Sequence, residues 1–112
     1  MLAHLYTVKE AFRAAYAATL DDLLSYQRPA VVCTIYNPQF DEAPMQHAAE
    51  AALSIFNDVI MQEALRRRVS PIDLRLVCTE PDHFANPIEP SNEGGARIAE
   101  AIIAAATRLA PR

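Results

Sequence analysis

The chain has 112 residues and a mass of 12.4 kDa, is 52% hydrophobic and 21% charged, and carries two glycines against eight prolines. That composition excludes disordered, collagenous and low-complexity classes and sets one globular domain over residues 1–112 as the upper limit. Ten basic against fourteen acidic side chains leave a net charge of -4, which offers no electrostatic footprint for a nucleic-acid backbone.

From about Thr7 to Tyr26 the residues Val8, Phe12, Tyr16, Leu20 and Leu24 recur at helical spacing, which predicts a helix that Gln27-Arg28-Pro29 ends. Ala30-Val-Val-Cys-Thr-Ile-Tyr36 is apolar, rich in β-branched residues and bounded by prolines, so it predicts a buried strand. A loop follows to Pro44. Met45, Ala49, Ala52, Phe56, Val59 and Ile60 then restore the helical spacing through to Arg68, with Pro44 in the first turn, where its missing N–H costs nothing. Arg66, Arg67 and Arg68 complement the negative end of that helix's dipole. Pro71-Ile-Asp-Leu-Arg-Leu-Val-Cys78 predicts a second strand, Thr79 to Pro90 a proline-rich loop, and Ser91 the N-cap of a last helix toward Leu109.

A strand joined to the next through a long helix implies a parallel pair with a right-handed crossover. The class is therefore α/β. Parallel sheets contain more than two strands and are covered on both faces, so the sheet this chain supplies is predicted to be incomplete.

In open parallel sheets the ligand crevice lies beyond the carboxyl ends of the strands, here Thr34 to Asn37 and Cys78 to His83. Asp82 and His83 adjoin one another there, and Asn86 and Glu89 follow on the same loop. His83 is either a general base or an exposed loop histidine. Adjacent residues rarely face each other, so Asn86 or Glu89 is better placed than Asp82 to orient it. His4 lies near the chain terminus and His47 on the polar side of a helix, and both have weaker claims. Cys33 and Cys78, near the two strand ends, read as core packing with reduced thiols. No His, Cys or Asp pair has a recognised metal-ligand spacing, and Gly94-Gly95 lacks the third glycine of a dinucleotide fingerprint, so no metal or cofactor is expected. The opening residues lack the charged and apolar regions of a secretory leader, and no apolar run reaches the roughly 20 residues of a membrane span. A soluble, cytoplasmic protein is expected.

Taken together, Ala30-Val-Val-Cys-Thr-Ile-Tyr-Asn-Pro38, Phe56-Asn-Asp-Val-Ile60, Ser70-Pro-Ile-Asp-Leu-Arg75 and Asn86-Pro-Ile-Glu-Pro-Ser91 with Gly94-Gly95-Ala-Arg-Ile-Ala99 resemble, in order, the C-terminal half of an SGNH (GDSL-type) hydrolase. The resemblance implies a flavodoxin-like three-layer α/β/α fold and ester hydrolysis by a nucleophilic Ser, with Gly and Asn as oxyanion donors and a His base. The Gly-Asp-Ser block and the oxyanion blocks have no counterpart here, and Ser25, Ser54, Ser70 and Ser91 lie in the wrong context. The family's Asp-x-x-His falls on Asn86 and Glu89, with Asp82 and His83 slightly upstream.

Two functions from different classes are therefore carried forward. The first is an SGNH-type hydrolase domain, truncated or degenerate, acting on a small-molecule ester with little activity alone. The second is a non-catalytic α/β module that completes its sheet with another chain, including a second copy of itself, through an exposed sheet edge. With no nucleophile to order it, the His83 side chain is expected to be exposed.

Overall fold

A computed structural model describes residues 1–109 and has a mixed α/β architecture, mostly helical. Helix α1 (Leu2–Leu24) leads into strand β1 (Val31–Cys33), helix α2 (Ala43–Arg66), strand β2 (Ser70–Ile72) and, after two short 3₁₀ turns at Leu74–Leu76 and Pro81–His83, helix α3 (Asn92–Leu109). The strands pair in parallel, with Val31 opposite Ser70 and Cys33 opposite Ile72, and α2 makes the crossover between them, as the sequence predicts.

Both strands are shorter than predicted. β1 ends at Cys33 instead of Tyr36 because Ile35 hands its backbone groups to a side chain, Asn57, and not to a strand. β2 ends at Ile72 instead of Cys78 because Asp73 competes for the backbone: its Oδ1 accepts the Arg75 N–H at 3.1 Å and turns the chain into a 3₁₀ turn. The Leu74 N–H is diverted at the same point to Thr34 Oγ1, at 2.9 Å.

Helix boundaries follow the sequence more closely. α1 begins five residues before the predicted Thr7, at Leu2. α2 has its proline in the first turn and ends at Arg66, with Arg68 in the left-handed region at φ 59°. Ser91 caps α3, its Oγ accepting the Gly94 N–H at 3.1 Å.

The core lies where α1 packs on α2 and α2 on the strands. Leu20, Val59, Ile60, Ala64, Val69 and Leu74 are buried in it, and Phe12 of α1 meets Phe56 of α2 edge to face, ring centroids 5.1 Å apart. The same helix pair is pinned by Glu63, 3% exposed. Its Oε2 accepts from Arg13 of α1 at 2.6 Å and from Arg66 at 3.0 Å, and its Oε1 accepts from Arg67 at 3.0 Å. Arg67 also forks onto Asp21 of α1 at 2.6 and 3.2 Å. Part of the arginine run thus sits at the helix's negative end as predicted and in addition staples two helices.

The molecule is a plate, 47 × 38 × 15 Å, with a radius of gyration of 15.5 Å, where a chain of this length in a compact domain has about 13 Å. It exposes 7667 Å², about a quarter more than the roughly 6,100 Å² usual for this mass. Among the described residues no helix is long and apolar enough to cross a membrane.

Candidate functional site

The carboxyl ends of the strands carry two polar anchors and a loop. Thr34, 2% exposed, donates from Oγ1 to Asp73 Oδ1 at 3.0 Å, and its own N–H donates to the Ile72 carbonyl at 2.9 Å. Arg75 grips Asp73 through two parallel bonds of 2.8 Å, and this fork chiefly holds the Asp73 carboxyl below the usual range, against the upward push of burial. The cluster fixes the relation of the two strand ends, and its hydrogen-bonding groups are engaged with one another.

The loop from Thr79 to Ser91 is folded onto this edge by its own side chains. His83 is 5% exposed, which corrects the expectation of an exposed ring. The physical reason is local: Nδ1 accepts the backbone N–H groups of both Thr79 and Glu80, each at 3.1 Å, so the ring replaces the partners those amides would find in water. With Nδ1 an acceptor, the proton of the neutral ring sits on Nε2, where a triad base would need its lone pair. No hydrogen bond joins Asp82 to the ring among the described residues; the contact that Asp82 makes is through its carbonyl, which accepts from Ser91 Oγ at 2.5 Å.

Asn86 and Glu89 are brought together. Asn86 Oδ1 accepts the N–H groups of Ile88 and Glu89 at 2.9 and 2.8 Å, and Nδ2 donates to Glu89 Oε1 at 3.2 Å, a turn built by one asparagine. Phe84 and Pro90 form an antiparallel bridge around it. The turn is seated on β1's extension: the Tyr36 hydroxyl donates to the Ile88 carbonyl at 2.7 Å, and the Tyr36 ring meets Phe84 edge to face at 5.6 Å. Burial, with Cys78 and Glu89 adding, pushes the Tyr36 hydroxyl pKa up, so it stays a donor.

Between this turn, the segment after β1 and the first half of α2 lies a cavity of about 540 Å³. Ile35, Pro38, Phe40, Ala52, Leu53 and Ile88 supply most of its apolar wall. Gln46 holds that wall in place: Oε1 accepts the Phe40 N–H at 2.8 Å, and Nε2 donates to the Pro38 carbonyl at 2.7 Å. The Gln39 N–H reaches across to the Pro87 carbonyl at 2.9 Å and ties the wall to the loop. Sequence reasoning missed Gln46 and Asn57, since one polar residue on a helix carries no signal of which backbone groups it will meet.

The serines do not approach the Asn86–Glu89 pair as nucleophiles. Ser25 and Ser54 donate to carbonyls of their own helices, Ser91 is engaged as a cap, and Ser70 lies at the opposite, amino end of β2. Burial pushes the Cys33 and Cys78 thiols up, which suits packing and not attack. Among the described residues no three His, Cys, Asp or Glu side chains gather as metal ligands. Comparison with known proteins finds no family model, no curated protein and no solved structure that matches the chain.

Proposed function

We propose that this chain is the C-terminal part of an SGNH-type ester hydrolase domain with a flavodoxin-like sheet, in which Glu89, held by Asn86, occupies the place of the base. The observation that carries the reading is the Asn86-x-x-Glu89 turn, hydrogen-bonded within itself and seated at the carboxyl edge of a parallel strand pair beside an apolar cavity. In such a reaction a serine attacks the ester carbonyl, the base takes its proton and passes it to the departing alcohol, oxyanion donors hold the charge of each tetrahedral intermediate, and water activated by the same base then cleaves the acyl-serine to release the acid and restore the serine. Serine and donors belong to a further strand and its loops, supplied from outside these residues. His83 then acts as the peg of the loop and not as its base.

Hydrolysis of short p-nitrophenyl esters is the test, run on the 112-residue chain and on a form extended by the sequence upstream of Met1. Activity only in the extended form, lost roughly a hundredfold or more in Glu89→Gln, supports the reading. Full activity in the 112-residue chain, or an extended form indifferent to Glu89→Gln, overturns it.

A second reading, a non-catalytic module that completes its sheet with another chain, is favoured by one observation. Ile35 faces away from β2, so by strand alternation the backbone groups of Val31 and Cys33 face the same open side, on a molecule with excess exposed surface. Light scattering separates the two, since a stable dimer with no esterase activity in either form supports the module.

A further inference from the structure

We propose that His83 is an acid-operated latch: its neutral ring closes the first stem of the loop over residues 79–91, and a second proton on the ring opens that stem. The latch lies wholly within this chain and goes beyond the hydrolase reading, on which it does not depend.

The first argument is the chemistry of the two ring nitrogens. Nδ1 accepts the N–H groups of Thr79 and Glu80, each at 3.1 Å, so the proton of the neutral ring is on Nε2. A second proton has only Nδ1 to bind, and there it points at two donors with no acceptor between them. The closed stem and the protonated ring are therefore incompatible. Turning the ring over about χ2 does not relieve the conflict, because it brings a carbon to the two amides and leaves both unpaired inside the loop.

The second argument is that nothing around the ring stabilises a positive charge on it. Glu80 and Asp82 flank it on its own turn, and Glu93 and Arg97 are exposed on α3, the helix packed against that turn. None of them forms an ion pair with the ring among the described residues. What α3 brings to His83 is its buried Gly94, drawn onto the His83 carbonyl. Before the loop, Arg75 is committed to Asp73, and burial pushes the Cys78 thiol up, so it stays neutral. From the extension of β1 comes Tyr36, an uncharged donor, packed on Phe84. Nε2 makes no hydrogen bond to the described residues and is not an orphaned buried atom, so it meets solvent and no carboxylate.

The third argument is what the latch holds. The second stem of the loop is tied independently of the ring: the His83 carbonyl accepts the Ser91 N–H at 2.9 Å, and the Asp82 carbonyl accepts from Ser91 Oγ. The first stem has only the turn's own bond, from the His83 N–H to the Glu80 carbonyl at 2.9 Å, and the two bonds to the ring. Between the stems hangs the Asn86–Glu89 turn, framed by the Phe84–Pro90 bridge. Release of the ring admits water beside Thr79 and Glu80 and removes one support of the Asn86–Glu89 pair, which makes acid a control on the candidate site.

The test is amide hydrogen exchange on the 112-residue chain from pH 7.5 to pH 5, corrected for the intrinsic pH dependence of exchange. Because opening takes up one proton, protection of the Thr79 and Glu80 amides is expected to fall by up to about tenfold per pH unit below the ordinary histidine value of about 6.5, while amides in the middle of α2 keep theirs. Glu63, held below the usual glutamate range, titrates beneath this window. His83→Asn puts an uncharged acceptor oxygen near the position of Nδ1 and should keep both amides protected at every pH. Flat protection of Thr79 and Glu80 in the parent chain overturns the proposal, and so does an equal fall in His83→Asn. Ring ¹⁵N shifts of the parent chain over the same titration give a readout that needs no variant: protonation in step with the loss of protection supports the latch, and protonation with protection retained overturns it. Exchange reads opening without turnover, so a negative esterase assay defeats the hydrolase reading alone and a flat exchange profile defeats this one.

Discussion

The carboxamide of Asn57, on α2, takes both backbone groups of Ile35: the Ile35 N–H donates to Oδ1 at 2.7 Å, and Nδ2 donates to the Ile35 carbonyl at 2.9 Å. A side chain with 0% exposure thus imitates one residue of a neighbouring strand, ends the open edge of β1 and keeps the cavity wall free of unpaired backbone. Asn57→Ala leaves a donor, an acceptor and a void, and is expected to lower unfolding free energy by about 2–4 kcal/mol. Urea denaturation checks it; a change within about 0.5 kcal/mol, the usual range of an uninvolved surface site, would show that the pairing is idle.

The two adjacent glycines should respond oppositely. A Cβ on Gly94 would overlap the His83 carbonyl, because the cap of α3 is drawn directly onto the loop, whereas a Cβ on Gly95 meets nothing. Gly94→Ala is expected to destabilise by at least the roughly 1–3 kcal/mol of an overpacked core. Gly95→Ala should stabilise by roughly 0.5–1 kcal/mol through helix propensity. Thermal melts of the pair, compared side by side, test the close approach directly.

His83 holds two amides that have no other partner in the loop. His83→Ala should therefore cost about 1–3 kcal/mol of stability, and ¹⁵N shifts of the ring in the parent chain should report the Nε2–H tautomer at neutral pH. An Nδ1–H ring would contradict the geometry.

Acid should loosen the α1–α2 staple. Hydrogen bonds from Arg67, then Arg13, hold the Glu63 carboxyl below the usual glutamate range, against the upward push of burial. Its folded value thus lies below the unfolded one of about 4.3, so the staple's contribution is complete above that pH and is lost as pH falls through the lower, folded value. Melting temperature followed from pH 6 down to pH 3 should fall more steeply in the parent chain than in Glu63→Gln, the two curves converging in acid. Parallel curves would show that Glu63 is not the group being titrated.

The order of elements, the parallel pairing, the first-turn proline of α2 and the Ser91 cap were legible in the sequence, because each depends on periodicity or on a residue's own backbone chemistry within a few positions. Asp82, His83, Asn86 and Glu89 were legible as a polar loop at the sheet's carboxyl edge. Their roles within it were not. Whether His83 is exposed depends on two amides folding back over its ring, and whether Asn86 meets Glu89 depends on the turn closing. The strand ends and the cavity wall were decided further away still: Asn57 reaches Ile35 across 22 positions, and Thr34 meets Asp73 across 39. A polar residue on a helix announces only that it wants a partner. Which backbone group it finds is fixed by how α2 lies on the strands, and that is set by the packing of Val59, Ile60 and Ala64 in the core.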